Sequence, residues 1–209
     1  MTHSPFLVSE NFISPLQCES IAANLALQFP NVVNGEPLKH ERFLPGDISG
    51  SILAGLDSLR PVIEQHFSGQ IVTDPLLKFQ QYFENARSPA EAHFCEAYKF
   101  TRKKWVKTKD ITLIGYLWLK SFHNKVPLDP RTEVYGGKLE FPAYDFSLVP
   151  VQGALVLFPA VPNFITAVSH ILVGSLEQIK IGVKLTVGGE AWQYDQAKFP
   201  GTYRDWFAD

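Results

Sequence analysis

The sequence is poor in cysteine and methionine and has no long hydrophobic run. It has 2 cysteines, Cys18 and Cys95, among 209 residues. Two are too few for a disulfide scaffold and indicate a reducing compartment. No apolar stretch approaches the roughly 20 residues that a membrane-spanning helix needs, and the first residues do not form a signal-type segment. A net charge of -2 provides no global basic field for nucleic acid or anionic lipid. These absences predict a cytoplasmic protein without a membrane partner.

What the chain does have is apolar and turn-forming residues. Hydrophobic residues make up 45% and charged residues 19%, with 16 Phe, 14 Gly and 15 Pro. This balance argues against disorder and favours short strands joined by many turns over a helical bundle. The length suits one domain, which we place at residues 1–190, followed by an aromatic strap at 191–209.

The first third of the chain predicts two helices. Ser14-Pro15-Leu16-Gln17 combines a capping Ser, a Pro at the first helical position and a Gln three residues after the cap. Apolar residues at helical spacing continue this helix to Phe29. A second helix is predicted over Ile52 to Phe67, with Pro61 marking a kink or a break.

After Gly69 the pattern changes to short strands separated by Gly and Pro. The predicted strands are Ile71–Val72, Lys78–Glu84, His93–Phe100, Ile111–Leu119, Gly137–Phe141, Phe146–Val149, Ala154–Phe158, Asn163–Leu172 and Glu177–Val187. Such a series after a helical start predicts a β-rich α+β fold, a jelly roll with the helices packed on one sheet. An immunoglobulin-like sandwich is the alternative, but the Cys-Trp-Cys spacing of that fold is missing.

Two motifs carry a resemblance to a known family. Tyr135–Pro142 contains Gly-Gly followed by Leu-x-Phe-Pro, and Pro150–Pro159 reads Pro-x-x-Gly-x-Leu-Val-x-Phe-Pro. In this order they resemble the prolyl-4-hydroxylase-like Fe(II)/2-oxoglutarate oxygenases. Asp110–Leu117 and Pro5–Pro15 are similar to other segments of that family. The resemblance extends over most of residues 5–187.

Within that family the sequence is most similar to members encoded by marine cyanobacterial phages. The similar segments are Cys95-Glu96, Lys103-Lys104-Trp105 and Glu133–Pro142. The resemblance therefore implies a phage-encoded protein, located in the host cytoplasm or in the virion.

The family implies a double-stranded β-helix, which is a jelly roll that holds Fe(II) on two His and one carboxylate. That ligand set occupies one face of the metal and leaves positions open for 2-oxoglutarate and O₂. The family signature is His-x-Asp/Glu early in the chain and one His after the Phe-Pro turn. A basic residue farther on binds the distal carboxylate of 2-oxoglutarate.

The early metal motif is altered in this sequence. His93-Phe94-Cys95-Glu96 separates His93 and Glu96 by three positions, so on a regular strand they point to opposite faces. They share a metal only across a bulge. Cys95 lies on the face of His93, but a thiolate makes a softer site than a carboxylate.

The late metal position is also altered. The family spacing places the distal His at Thr166, which is a poor iron ligand. His170 shares a face with Thr166 on an extended strand but lies about 13 Å farther along it. The candidate metal ligands are therefore His93, Cys95, Glu96 and His170, and the sequence favours a protein without a bound cofactor. Fe(II) and 2-oxoglutarate are expected if the protein is active.

The co-substrate end of the family pattern is better retained. Lys180 falls where the resemblance places the basic anchor, and Gln178 lies on the same strand face. The same comparison gives Tyr82, Tyr116 and Thr112 as pocket-lining residues. Each can also be an ordinary strand residue.

A basic segment stands apart from these motifs. Lys99 to Lys109 carries six cations and Trp105. Cations with an aromatic ring can contact phosphates or stack on a base, whereas a solvated hairpin is the more common role. We expect no nucleic-acid partner elsewhere in the chain.

Two functions follow from these patterns. The first is a non-catalytic structural or binding module, with a protein partner or assembly neighbours, in which the barrel remains but the metal ligands are lost. The second is an active Fe(II)/2-oxoglutarate-dependent hydroxylase with an altered metal site.

Overall fold

The computed structural model describes residues 6–29, 39–91, 98–101, 104–107, 110–142, 145–160 and 164–187. Within these ranges the chain is mostly β-sheet with two helices. The elements are β1 (Leu7–Ser9), α1 (Pro15–Gln28), β2 (Lys39–Phe43), α2 (Gly46–His66), β3 (Gly69–Ile71), β4 (Leu76–Tyr82), β5 (Ser88–Glu91), β6 (Tyr98–Thr101), β7 (Lys104–Lys107), β8 (Asp110–Trp118), β9 (Ser121–Phe122), β10 (Glu133–Gly136), β11 (Leu139–Phe141), β12 (Phe146–Leu148), β13 (Leu155–Pro159), β14 (Thr166–Val168), β15 (Ile171–Val173) and β16 (Leu176–Val187). The predicted strap at 191–209 lies outside the described ranges.

The first helix begins as its sequence predicts. The Ser14 side chain accepts a hydrogen bond from the Gln17 backbone N–H, and the Gln17 side chain accepts one from the Ser14 N–H. This capping box satisfies two N–H groups that have no partner within the helix. Cys18, Ile21 and Leu25 are buried, whereas Leu16 is 76% exposed.

The second helix begins six residues earlier than predicted, at Gly46 instead of Ile52. Its N-cap is Pro45, which makes no side-chain capping bond, so the usual sequence signal for a helix start is missing. The helix also continues through Pro61, which is exposed, so the chain does not break there. Neither described helix is long and apolar enough to cross a bilayer.

The main sheet contains seven strands, in the order β1-β13-β8-β16-β4-β2, with β3 also paired to β16. All of these pairings are antiparallel. The strand β16 lies at the centre, where Lys180 is opposite Tyr116 of β8 on one side and Lys78 of β4 on the other. Both helices pack on one face of this sheet, as predicted, and their buried side chains share a core with residues such as Ile179 and Leu113.

Two smaller sheets cover part of the other face of the main sheet. One has the order β12-β11-β14-β5 and the other β15-β10-β9. A second core lies between the layers, where Tyr116 and Phe158 of the main sheet share a cluster with Phe141, Val168 and Ile171 of the smaller sheets. Aromatic rings fill much of it: the Tyr116 and Phe158 rings are stacked at 6.2 Å.

The strand prediction for Asn163–Leu172 is wrong in its length. Two short strands occupy this stretch, β14 and β15, and they belong to different sheets. The chain leaves the first sheet at Ser169-His170, where the Ser169 N–H donates to the Lys138 carbonyl. The shared face inferred for Thr166 and His170 therefore does not exist, because side-chain alternation holds only along one continuous strand.

Candidate functional site

The two faces of the main sheet differ in chemistry because side chains alternate along each strand. On β16, Ile179, Ile181, Val183 and Leu185 are buried beneath the helices. The intervening residues point to the space between the sheets, and these include Gln178 and Lys180. We call the surface formed by these residues and their cross-strand neighbours the inner face.

The inner face carries every residue that the sequence analysis assigned to a co-substrate. Lys180 is directly opposite Tyr116, and Gln178 lies two positions before Lys180 on the same strand. Tyr82 is opposite Leu176, and Thr112 is opposite Lys184. Because Leu176 and Lys184 are eight residues apart on β16, Tyr82 and Thr112 are separated by about 27 Å along the strand direction. The fold thus brings together Gln178, Lys180 and Tyr116, with Tyr82 and Thr112 towards opposite ends.

A chain of hydrogen bonds crosses the inner face from its edge strand to its centre. The Lys78 Nζ donates to Glu41 Oε1 at 2.8 Å, and the Gln80 side-chain amide donates to the other carboxylate oxygen of Glu41. The Gln178 amide donates to Gln80 Oε1 at 2.9 Å. Gln80 and Gln178 are each 1% exposed, so this chain carries polar groups into a buried interior.

Glu41 is held as a carboxylate by these contacts. Burial by itself would raise the pKa of this carboxyl, but hydrogen bonds from Lys78 and Gln80 and the charges of Lys78 and Lys180 outweigh it. The pKa of Glu41 is therefore lowered from its ordinary value. Glu41 is thus the counter-ion for two lysines on the inner face.

Two buried polar atoms of the inner face, at one end of the pairing between β8 and β16, have no hydrogen-bond partner. They are Trp118 Nε1 and Gln178 Oε1, and their residues are cross-strand neighbours on β8 and β16. Trp118 is 3% exposed and Gln178 1%. An unpartnered buried polar atom costs about 1–3 kcal/mol, so this pair is an unusual feature of a packed interior.

The predicted metal ligands are only partly within the described residues. His93, Cys95 and Glu96 lie outside them. Thr166 is buried, at 3% exposure, and its Cα is opposite Glu91 on β5. Across the described ranges, no group of three or more His, Cys, Asp or Glu side chains is placed to hold a metal ion. The set of two His and one carboxylate that the family resemblance implies is therefore not found among the described residues.

His170 lies away from the inner face. It is exposed and lines a surface groove of about 500 Å³ with Arg87, Ser88, Glu140, Val168 and Ser169. The groove combines both signs of charge. The fold therefore does not bring His170 together with Lys180 and Tyr116.

The basic segment forms a hairpin in its described part. The strands β6 and β7 pair antiparallel, with Thr101 opposite Lys104. The pairing shows a hairpin, and both interpretations of Lys99 to Lys109, as a solvated segment and as a nucleic-acid contact, stay predictions.

Sequence reasoning missed four residues of the inner face: Glu41, Lys78, Gln80 and Trp118. The strand predicted at Lys78–Glu84 contained the alternation that places Lys78 and Gln80 on one face. For Glu41 the sequence gives no signal, because the charged segment Lys-His-Glu-Arg-Phe of β2 becomes a strand only through its pairing with β4.

Comparison with known proteins identifies the fold. No protein-family model and no curated protein matches this chain. Among solved structures, the viral collagen prolyl hydroxylase of Paramecium bursaria Chlorella virus-1, in complex with 2-oxoglutarate, is similar with a TM-score of 0.60 at 13% identity, over 88% of this chain and 97% of that one. A prolyl-4-hydroxylase from Pseudomonas putida is similar with a TM-score of 0.59 at 18% identity, over 90% and 95%. HygX from Streptomyces hygroscopicus, with nickel and 2-oxoglutarate bound, is similar with a TM-score of 0.50 at 10% identity, over 91% and 86%. At these identities the comparisons show the fold alone, which this chain shares with the two prolyl hydroxylases and HygX.

Proposed function

We propose that this protein is a non-catalytic member of the 2-oxoglutarate oxygenase fold, a jelly roll whose inner face binds a small carboxylate at Lys180. The observation that carries the proposal is the position of Lys180 on the central strand, opposite Tyr116 and Lys78. A lysine there can bind a carboxylate through charge-assisted hydrogen bonds.

The charge of the inner face supports an anionic ligand. Around Lys180, the ammonium groups of Lys78 and Lys180 face one carboxylate, that of Glu41. Lys78 and Glu41 form an ion pair at 2.8 Å, and Lys180 adds a second positive charge near the same carboxylate. A bound carboxylate would be attracted by this positive charge in a partly buried site, where charges are screened less than at the surface.

The donor set supports a role other than oxygenation. Thr166 stands where the family resemblance predicts an iron-ligating His, and a hydroxyl is a poor ligand for ferrous iron. The loss of one neutral nitrogen donor at that position would weaken a metal site more than the co-substrate site on β16. We therefore derive no reaction step that uses iron.

The enzymatic alternative is tested by anaerobic reconstitution. The purified protein is equilibrated with Fe(II), and bound iron per chain and 2-oxoglutarate-dependent O₂ uptake are measured. The proposal expects iron well below one per chain and O₂ uptake at the background of a protein-free control. One tightly bound iron with turnover would instead establish the hydroxylase.

Carboxylate binding is tested by calorimetric titration with glutarate. The Lys180→Met variant is expected to lose at least about tenfold in affinity, because a charged hydrogen bond is worth about 1.5–3 kcal/mol. Lys184→Met is the matched control, since Lys184 lies on the same strand face but four residues away. Equal losses in both variants, or none in Lys180→Met, would contradict a site at Lys180.

The proposal that the barrel binds a ligand without catalysis also implies the kind of partner that the protein has and the kind of cell in which it acts. A protein that has kept a ligand-binding barrel without turnover would act through a protein partner or assembly neighbours, in a phage-infected host cell or a virion. Co-purification from such a cell, compared between wild type and Lys180→Met, tests whether a partner depends on the ligand.

A further inference from the structure

The unpartnered atoms of Trp118 and Gln178 form a donor and acceptor pair. The two residues are opposite each other on adjacent strands, and both belong to the inner face, with Trp118 in the same buried cluster as Tyr116 and Leu176. The indole N–H can only donate, and an amide oxygen can only accept. A ligand group that satisfies both must therefore accept one hydrogen bond and donate another.

The acceptor role of Gln178 is fixed by the hydrogen-bond chain behind it. The Glu41 carboxylate only accepts hydrogen bonds, so the Gln80 NH₂ must face Glu41 and its oxygen must face Gln178. The Gln178 NH₂ donates to that oxygen, which leaves Gln178 Oε1 as the atom without a partner. Glu41 thus sets the amide orientation through two side chains, and the orientation persists because Glu41 is ionised.

This pair lies next to the proposed carboxylate site. Gln178 and Lys180 are two residues apart on one strand face, which corresponds to about 7 Å. A small ligand held by Lys180 at one end can therefore reach Trp118 and Gln178 with its other end.

A second carboxylate does not match this pair. One of its oxygens could accept from Trp118, but the other oxygen would meet Gln178 Oε1, where two acceptors face each other without a proton. A primary carboxamide matches both atoms, since its oxygen accepts from Trp118 and its NH₂ donates to Gln178.

From this geometry we infer that the inner face selects a small monocarboxylate that carries a neutral donor-and-acceptor group, such as a carboxamide, over a dicarboxylate. The inference rests on the proposed function, because it needs Lys180 to hold the carboxylate end. It adds Trp118 and Gln178 as the residues that determine specificity at the other end.

The test compares two ligands of the same chain length, glutaramate and glutarate, by calorimetric titration at neutral pH. We expect glutaramate to bind at least about tenfold more tightly, because the dicarboxylate leaves a buried acceptor unpaired. Trp118→Phe and Gln178→Leu each remove one of the two atoms and should reduce this preference to within about threefold. Gln81→Leu is the matched control, since Gln81 is the neighbour of Gln80 on the opposite sheet face and bonds to Glu177.

The outcomes separate the two proposals. If glutarate binds as tightly as glutaramate and Lys180→Met binds neither ligand, the specificity inference is overturned and the carboxylate site remains. A buried water would then be the hydrogen-bond partner of Trp118 Nε1 and Gln178 Oε1. Absence of binding by either ligand would overturn both. The wild-type preference decides the inference by itself, so it remains testable if a variant fails to fold.

Discussion

The two faces of the main sheet belong to the same strands but carry side chains of different chemistry. On the helix face, alternate residues of β16 are Ile179, Ile181, Val183 and Leu185, all at 0% exposure. On the inner face, the residues between them include Gln178, Lys180 and Lys184. The helix face is an apolar core against which the two helices pack, and the inner face carries polar groups into the interior.

The difference shows which face of this sheet supplies stability and which one supplies chemistry. Burying apolar side chains contributes about 25 cal/mol per Å², and the helix face does this along every central strand. The inner face instead contains unpartnered polar atoms and a buried amide chain, which reduce stability unless a ligand completes them. Substitutions on the helix face should therefore mainly reduce stability, whereas substitutions on the inner face should mainly reduce ligand binding.

The largest contrast is expected between neighbouring residues of β16. Ile181→Ala removes a fully buried side chain and should lower the free energy of unfolding by about 2–5 kcal/mol, measured by urea denaturation. Lys180→Met should change stability by less than about 1 kcal/mol while it removes carboxylate binding. A loss of more than about 2 kcal/mol in Lys180→Met would show that the inner face is a structural core too.

The second contrast uses two glycines of the central strands. A Cβ on Gly115, on the helix face, would overlap with Leu157 Cδ2 and lie 3.0 Å from the Val156 carbonyl oxygen. Gly115→Ala should therefore cost about 1–3 kcal/mol through overpacking.

Gly182 is the control for this substitution, because it lies on the inner face. A Cβ there would come no closer than 3.7 Å to another atom, Leu76 Cβ. Gly182→Ala should be neutral or stabilise by up to about 1 kcal/mol, since glycine is unfavourable within a strand. Thermal and urea unfolding of both variants measure the difference, and equal costs would contradict the contrast in packing.

A smaller effect is expected at Cys18, where α1 meets the sheet. The thiol contacts the Trp118 carbonyl oxygen at 3.9 Å, and burial raises its pKa to about 11. The pKa of a thiol in an unfolded chain is about 8.5, so the unfolded state loses this proton first. The free energy of unfolding therefore falls as the pH rises from about 8.5 towards 11.

Cys18→Ala should remove this alkaline dependence at a cost of about 1 kcal/mol at neutral pH. Urea unfolding of wild type and variant at several pH values gives the two slopes. Cys95 is present in both proteins, so the difference isolates Cys18. An unchanged slope would mean that the Cys18 thiol titrates alike in the folded and unfolded states.

The smallest effect is expected at Glu41. Its pKa is lowered in the folded protein, so its contribution to stability is present above the unfolded value of about 4.3 and is lost as the pH falls through the folded value. Glu41→Gln should therefore flatten the loss of stability in acid. The change is small because the Glu41 side chain is 31% exposed. The exposed Asp57→Asn of α2 is the control, and an equal flattening there would show that Glu41 has no special role.

Local signals predicted a substantial part of this fold and site. The capping box of Ser14 and Gln17 located the start of α1, because its atoms are close in sequence. Alternation along β16 put Gln178 and Lys180 on one face, because the strand is long and regular. The Gly-Gly and Phe-Pro motifs led to the fold that this chain shares with the solved prolyl hydroxylases.

The remainder depended on contacts between distant parts of the chain. The strand β2, which supplies Glu41, has no apolar alternation and is formed by its pairing with β4. The break between β14 and β15 is set by two hydrogen bonds, one from the Ser169 N–H to the Lys138 carbonyl and one from the Lys138 N–H to Ser169 Oγ, which a local pattern does not encode. The relationship of Trp118 to Gln178 needs the register of two strands that are about 60 residues apart in sequence.

The central claim is that the inner face binds a small carboxylate through Lys180 without iron. Its most direct test is one calorimetric titration of glutarate into the protein, performed with EDTA and repeated anaerobically with Fe(II). The account predicts the same affinity under both conditions and loss of binding in Lys180→Met. Binding that occurs only with Fe(II) would contradict it, since the carboxylate site would then depend on a metal centre.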